Sequence, residues 1–203
     1  MAIGRMRGRL RGVRQKLFLW NKRRQVGARR FAKFGHRSLI VDPYGILSPH
    51  RIEIGANVLV HHGAMFSVVE SFNGRRHEPR LRIGDRTNIG YGVWLSCVGE
   101  IDIGEGVLIG HNVLIADSYH EYHDPDRAII DQPMAEPRPV KIGSGSIIGP
   151  NAAILAGVTL GERSFVTAGA VLGESVPANS VVAGNPARVV RRYDGTRGEW
   201  VDA

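Results

Sequence analysis

Aliphatic residues recur at every sixth position of this chain. Over its last third the series Ile142, Ile148, Ile154, Leu160, Val166, Leu172 runs unbroken, and the residues two places before each later member, Ser146, Ala152, Val158, Ser164 and Ala170, are small or β-branched. A period of six is neither the 3.6 of a helix nor the 2 of a half-exposed strand. It fits a parallel β-helix of hexapeptide repeats, in which three short strands close one triangular coil of eighteen residues and equivalent residues stack about 4.8 Å apart. The six-spaced aliphatics then point inward. Small residues are needed beside them, because three faces converge on a narrow axis.

Four tetrapeptides punctuate the pattern: Ile52-Glu53-Ile54-Gly55, Leu81-Arg82-Ile83-Gly84, Ile101-Asp102-Ile103-Gly104 and Val140-Lys141-Ile142-Gly143. The glycines are 29, 20 and 39 residues apart. Each interval reads as one coil plus an insertion of 11, 2 and 21 residues. Ile40, Ile46 and Ile52 already step by six, so the coils are expected from Ser38 to Arg192. A polar loop interrupts them near Ser71 to Arg80, and the longest excursion spans residues 117–138, with two histidines and three prolines. In repeat folds, function concentrates on loops leaving a rigid scaffold. The hexad glycines, Gly55, Gly84, Gly104 and Gly143 among them, read as tight corners that favour positive φ. They do not sit between a strand and a helix, as a dinucleotide fingerprint requires. Tyr193 to Ala203 reads as a short polar tail.

Composition alters the picture at one end. Thirteen of the 27 Lys and Arg lie in residues 1–40, which hold no Asp or Glu, so the other 163 residues carry 14 basic against 19 acidic side chains. Residues 1–37 form a basic arm. Within it Met6, Leu10, Val13, Leu17 and Trp20 fall at helical spacing among arginines, the pattern of a helix lying on an anionic membrane surface through residues 1–35. Capping of the β-helix or packing on a neighbouring subunit is the competing expectation, and nucleic acid is not expected as a partner. The chain contains no run of eighteen apolar residues and no signal peptide, which points to a cytoplasmic protein, with the arm at the inner face of the membrane. The single Cys97 cannot form an internal disulfide and lies in the hexad register, so it is expected to be a small inward filler.

The run KIGSGSIIGPNAAILAGVTLGERSFVTAGAVLGESVPANSVVAGNPARV, together with DSYHEYHDPDRAIIDQP ahead of it, resembles the hexapeptide-repeat acyltransferases. It looks like the branch of maltose, galactoside and nodulation acetyltransferases and surface-polysaccharide O-acetyltransferases. It covers about residues 80–192. The resemblance implies an all-β, left-handed parallel β-helix. It further implies a homotrimer with sites between subunits, and transfer of an acetyl group from acetyl-CoA to a hydroxyl of a sugar or polysaccharide precursor. No metal is implied.

Such chemistry needs a base for the acceptor hydroxyl, and a donor for the oxyanion of the tetrahedral intermediate. Histidine suits the first task near neutral pH. His120 begins the His-x-x-x-Asp-Pro pattern that the resemblance places at the active site, with His123 second; Asp117, Glu121 or Asp124 is expected to orient the imidazole. For coenzyme A the resemblance suggests the backbone at Ala168 and Gly169, with Arg188 and Arg191 toward the phosphates. Gly173-Glu174 stands where many relatives carry Thr-Lys. Trp94 and Tyr91 are expected to meet the acceptor, or to fill a subunit contact.

Two other functional classes share the scaffold. A zinc enzyme of the γ-carbonic-anhydrase kind would use three histidines from neighbouring coils, and His61, His62, His111, His120 and His123 supply the number. A non-catalytic, membrane-associated scaffold would bind no coenzyme A.

Overall fold

The computed structural model describes residues 26–203; the arm segment Met6 to Trp20, read as helical, lies outside the described residues. Short strands alternate with tight turns and stack in three parallel sheets that form the walls of a left-handed prism. The first face holds Lys33–Phe34, Ile52–Ile54, Arg80–Ile83, Glu100–Ile103, Val140–Ile142 and Thr159–Leu160. The second begins with Leu39–Ile40, Leu59–Val60, Asn88–Ile89, Leu108–Ile109, Ile147–Ile148 and Phe165–Val166. The third holds Gly45–Ile46, Met65–Val68, Trp94–Cys97, Leu114–Ala116, Ala153–Ile154 and Val171–Leu172.

The predicted register is the observed one. Ile54, Ile83, Ile103, Ile142 and Leu160 are successive partners on the first face, and all are essentially inaccessible to solvent. The same holds for Ile89, Ile109 and Ile148 on the second face and for Leu95, Ile115 and Ile154 on the third. Each buried aliphatic contributes about 1.5–3 kcal/mol relative to exposure, so the stacked rungs form one continuous core. Cys97 is inside this core as expected.

The small inward positions carry hydroxyls at the corner between the first and second faces. Ser38 Oγ donates to the Gly55 carbonyl at 2.6 Å and accepts the Val58 amide at 3.0 Å. Thr87 bridges Gly104 and Val107 in the same way, and Ser146 bridges Gly161 and Ser164. Each hydroxyl satisfies two backbone groups of the next coil where the strand ladder breaks.

Three expectations are revised. The coils begin five residues early, because Lys33–Phe34 already pairs with Glu53 and Ile54. The tail is structured: Ser180–Gly184 continues the second face, and Ala187–Asp194 and Glu199–Asp202 extend it as antiparallel strands. The glycines of the four tetrapeptides are selected for close approach, since the positive-φ positions lie elsewhere, at Gly92, Gly106, Gly145 and Asn112 among others. A Cβ on Gly84 would lie 2.5 Å from the Gly104 backbone, and one on Gly143 would lie 2.4 Å from the Glu162 nitrogen.

The outer surfaces differ sharply. Outward positions of the first face run Lys33, Glu53, Arg82, Asp102, Lys141, with Arg82 Nε donating to Asp102 Oδ1 at 2.8 Å. Those of the second face run Leu39, Leu59, Asn88, Leu108, Ile147, Phe165. On the third, Met65, Trp94 and Leu114 stack in register.

Candidate functional site

Both long excursions leave the prism at the edge between the third and first faces, two coils apart. The earlier one folds into a hairpin, Ser71–Phe72 against Arg75–Arg76, around Asn73 and Gly74 with φ of 44° and 79°. The later one, residues 117–138, starts and ends as an antiparallel ribbon. Asp117 O accepts the Arg138 amide at 2.8 Å, Ala135 N donates to Tyr119 O at 2.8 Å, and Glu121 N donates to Pro133 O at 3.0 Å. His120 faces Met134 across this ribbon.

The hairpin packs on the ribbon's returning strand. Asn73 Nδ2 donates to the carbonyls of Ile130 at 2.7 Å and Gln132 at 2.9 Å, and Arg75 Nη1 reaches that of Met134 at 3.5 Å. Even-numbered carbonyls therefore face the hairpin, while Pro133 and Ala135 turn to the outgoing strand, the period-two alternation of a strand between two neighbours. Phe72 meets His120 edge to face with ring centroids 5.0 Å apart. The exposed outer bend is held from inside by Gln132, which is 2% exposed: its Nε2 donates to the Asp124 and Arg127 carbonyls and its Oε1 accepts the Asp124 amide. None of Phe72, Asn73, Arg75 and Gln132 was marked by the six-residue pattern. The Asn73-Gly74 dipeptide is the signal that marks the hairpin.

The predicted site residues do not converge as one cluster. His120 is solvent-exposed on the ribbon. His123, farther out, stacks on Tyr122 at 4.4 Å and lies 3.4 Å from Glu121. Asp117 does not reach an imidazole. It is fully buried at the root of the excursion, where Oδ1 accepts the Val98 amide and Oδ2 the Gly99 amide, each at 2.8 Å. Burial pushes its carboxyl up, while those amides pull the other way. Cys97 lies alongside, its thiol donating to the Arg80 carbonyl at 3.4 Å; burial, then the Asp117 carboxylate, pushes that thiol well up, the opposite of an activated nucleophile.

Tyr91 sits at a different edge, between the second and third faces. Its ring lies 4.7 Å from His61, 4.5 Å from His62 and 4.9 Å from His111, a column spanning three coils, and His111 Nδ1 accepts the Tyr91 amide at 3.0 Å. Trp94, 45% exposed, points out of the third face between Met65 and Leu114. Among the described residues no three His, Cys, Asp or Glu side chains are grouped to share a metal ion. Among the described residues, too, no helix is long and apolar enough to cross a membrane.

Of the residues suggested for coenzyme A, Ala168 and Gly169 are exposed in the last full coil, and the Gly169 N–H is already given to Pro150 O at 2.9 Å. Arg188 faces Glu174 at 3.8 Å, and Arg191 is bound to the Trp200 carbonyl at 2.9 Å and lies 3.5 Å from Asp202.

The family model described as bacterial transferase hexapeptide (six repeats) matches residues 139–174, the stretch where the hexads run unbroken. Over this stretch the chain is similar to the bacterial transferase hexapeptide proteins. A probable acetyltransferase of Mycobacterium tuberculosis is 33% identical over 117 residues, which is 58% of this chain but 39% of that protein. The chain therefore aligns with under half the length of this relative. Among solved hexapeptide structures, the hexapeptide-repeat acetyltransferase of Vibrio cholerae in complex with acetyl-coenzyme A superposes with a TM-score of 0.60 at 26% identity, over 86% of this chain and 78% of that one. An N-acyltransferase of Bacillus cereus, solved with dTDP and 3-hydroxybutyryl-CoA, shares the fold with a TM-score of 0.70 at 20% identity, over 86% and 90%.

Proposed function

We propose that the protein transfers an acetyl group from acetyl-CoA to a hydroxyl of a sugar or surface-polysaccharide precursor, with His120 as general base. The observation that carries this is where His120 sits: exposed to solvent, yet on a hydrogen-bonded ribbon rooted in the hexapeptide scaffold by Asp117. Its imidazole accepts the proton of the acceptor hydroxyl as that oxygen attacks the thioester carbonyl. The tetrahedral intermediate collapses with cleavage of the C–S bond, and the coenzyme A thiolate takes a proton. Direct transfer of this kind calls for no covalent intermediate on Cys97.

His123 is the second choice for the base. It is farther out on the excursion and shares its surroundings with Glu121. Asp117 serves by anchoring the ribbon. Ala168 and Gly169 would contact coenzyme A through non-donor atoms or the Ala168 amide, with Arg188 and Arg191 toward the phosphates. Trp94 and Tyr91 would meet the acceptor.

The apolar outward rows of the second and third faces support a homotrimer, and the charged first face would remain in water. The basic arm would hold the enzyme at an anionic membrane on the cytoplasmic side. Loss of liposome sedimentation on removing residues 1–35 tests that placement, and undiminished sedimentation contradicts it.

Transfer from acetyl-CoA to a panel of free, amino- and nucleotide-linked sugars, with wild type and His120→Ala compared, tests the assignment. Loss of about two to four orders of magnitude in the variant is expected. Unchanged turnover in His120→Ala would remove His120 as base, and acylation of amino sugars alone would move the acceptor atom from oxygen to nitrogen.

A further inference from the structure

We infer that the hairpin Ser71–Arg76 is a positioning element for His120, acting through the two-carbonyl clamp of Asn73 and the ring of Phe72. The inference rests on His120 being the base. The hairpin belongs to the second coil and His120 leaves the fourth, so their contact is made across the coil between them. That coil's own turn, Val98-Gly99, is occupied by the Asp117 carboxylate. The hairpin's hydrogen bonds go to the returning strand, and its Phe72 ring meets the His120 imidazole directly.

The geometry fits that route. Asn73 and Arg75 occupy the Ile130, Gln132 and Met134 carbonyls on one edge of the returning strand, and Met134 is bridged to His120 on the other. A shift of the hairpin therefore translates the returning strand, and with it the backbone of His120. Phe72 adds a restraint on the side chain. Its ring stands at 70° to the imidazole and limits rotation on one side, while the remaining face stays open to solvent and to an acceptor. Arg75 also pairs with Glu136, beyond the same strand. An exposed imidazole that must meet a hydroxyl at hydrogen-bond distance gains from this, because errors of about 1 Å cost about a hundredfold in rate.

Asn73→Gly and Phe72→Leu test the inference, since the first keeps a residue suited to φ 44° and removes only the clamp, and the second keeps apolar bulk and removes only the ring. Phe72→Tyr is the conservative control. Carbethoxylation of His120 by diethyl pyrocarbonate, followed by peptide mass spectrometry with His36 and His50 as internal standards, reads the imidazole without any acceptor. The rate at His120 should change by about threefold or more in Asn73→Gly and Phe72→Leu, and stay near wild type in Phe72→Tyr. In the transfer assay the first two variants should lose about tenfold in kcat with the KM for acetyl-CoA unchanged. Unchanged carbethoxylation in both variants, or a loss that Phe72→Tyr fails to rescue, overturns the inference. Persistent turnover in His120→Ala would instead strike the choice of base, and the carbethoxylation rates would still decide whether the hairpin holds that histidine.

Discussion

Glu174 places its carboxylate 3.8 Å from the guanidinium of Arg188. The acidic residue faces an arginine proposed to meet the phosphates of coenzyme A. An anion arriving there must displace a carboxylate. Glu174→Gln should therefore lower the KM for acetyl-CoA, by up to about fivefold given the exposure of the pair, and Arg188→Ala should raise it. Calorimetric titration with coenzyme A checks both, and identical affinities in wild type and the two variants would remove Arg188 from the donor site.

Asp117 should matter more to stability than to any proton transfer. Asp117→Ala leaves the buried Val98 amide and its Gly99 neighbour without their acceptors, at a cost of about 2–4 kcal/mol. A fall in the thermal midpoint is expected, with the loss of activity following from a loosened ribbon. A variant as stable as wild type would show that the carboxylate is not what anchors the excursion.

Acid should weaken the junction between the first two coils. Hydrogen bonds from Ser48 first, then Arg51 and His50, hold the Glu70 carboxyl down at about 2, against an ordinary value of 4.5. A carboxylate whose folded pKa is depressed contributes stability that is complete above about 4.5 and is lost as pH falls toward about 2. Glu70→Gln should be less stable than wild type at neutral pH, and the difference should vanish on acidification through that window. Urea denaturation at several pH values measures it; a gap independent of pH would contradict the assignment.

Two glycine replacements should separate close approach from backbone conformation. Gly84→Ala puts a Cβ 2.5 Å from the Gly104 backbone and should destabilise by about 3 kcal/mol or more. At Gly106 nothing lies within 4 Å of the added carbon, and only φ of 64° opposes it, so Gly106→Ala should cost about 1–2 kcal/mol. The reverse order in thermal unfolding would count against this account.

The prism was legible because its inward positions obey one period. Ile54, Ile83, Ile103 and Ile142 could be stacked by counting, and the stacking is the observed register. The excursion at 117–138 was legible as the failure of that period. Its internal construction was not, because the bend is held by Gln132 from within and the returning strand by Asn73 and Arg75, which are distant in sequence and belong to no repeat. Asp117 is the sharpest case. Its position beside His120 suggested an imidazole partner, whereas its oxygens are taken by amides of the preceding coil, a contact that no spacing along the chain encodes. The glycine corners were placed correctly and explained wrongly, since sequence cannot separate a positive φ from a neighbour at 2.5 Å.

The antiparallel strands Ala187–Asp194 and Glu199–Asp202 change what the C-terminal end of the prism can do. A parallel β-helix presents at its last coil the same row of amides and carbonyls that received the coil before it, and is thus a template for polymerising on itself. Here the second face is continued by strands of reversed direction, ending on an edge that carries Glu199 and Asp202. A further copy would have to pair with a charged strand instead of a matching rung, the type of edge that discourages sheet-to-sheet growth. On the second face, the segment that composition presents as a polar leftover thus replaces a matching rung with a reversed, charged strand.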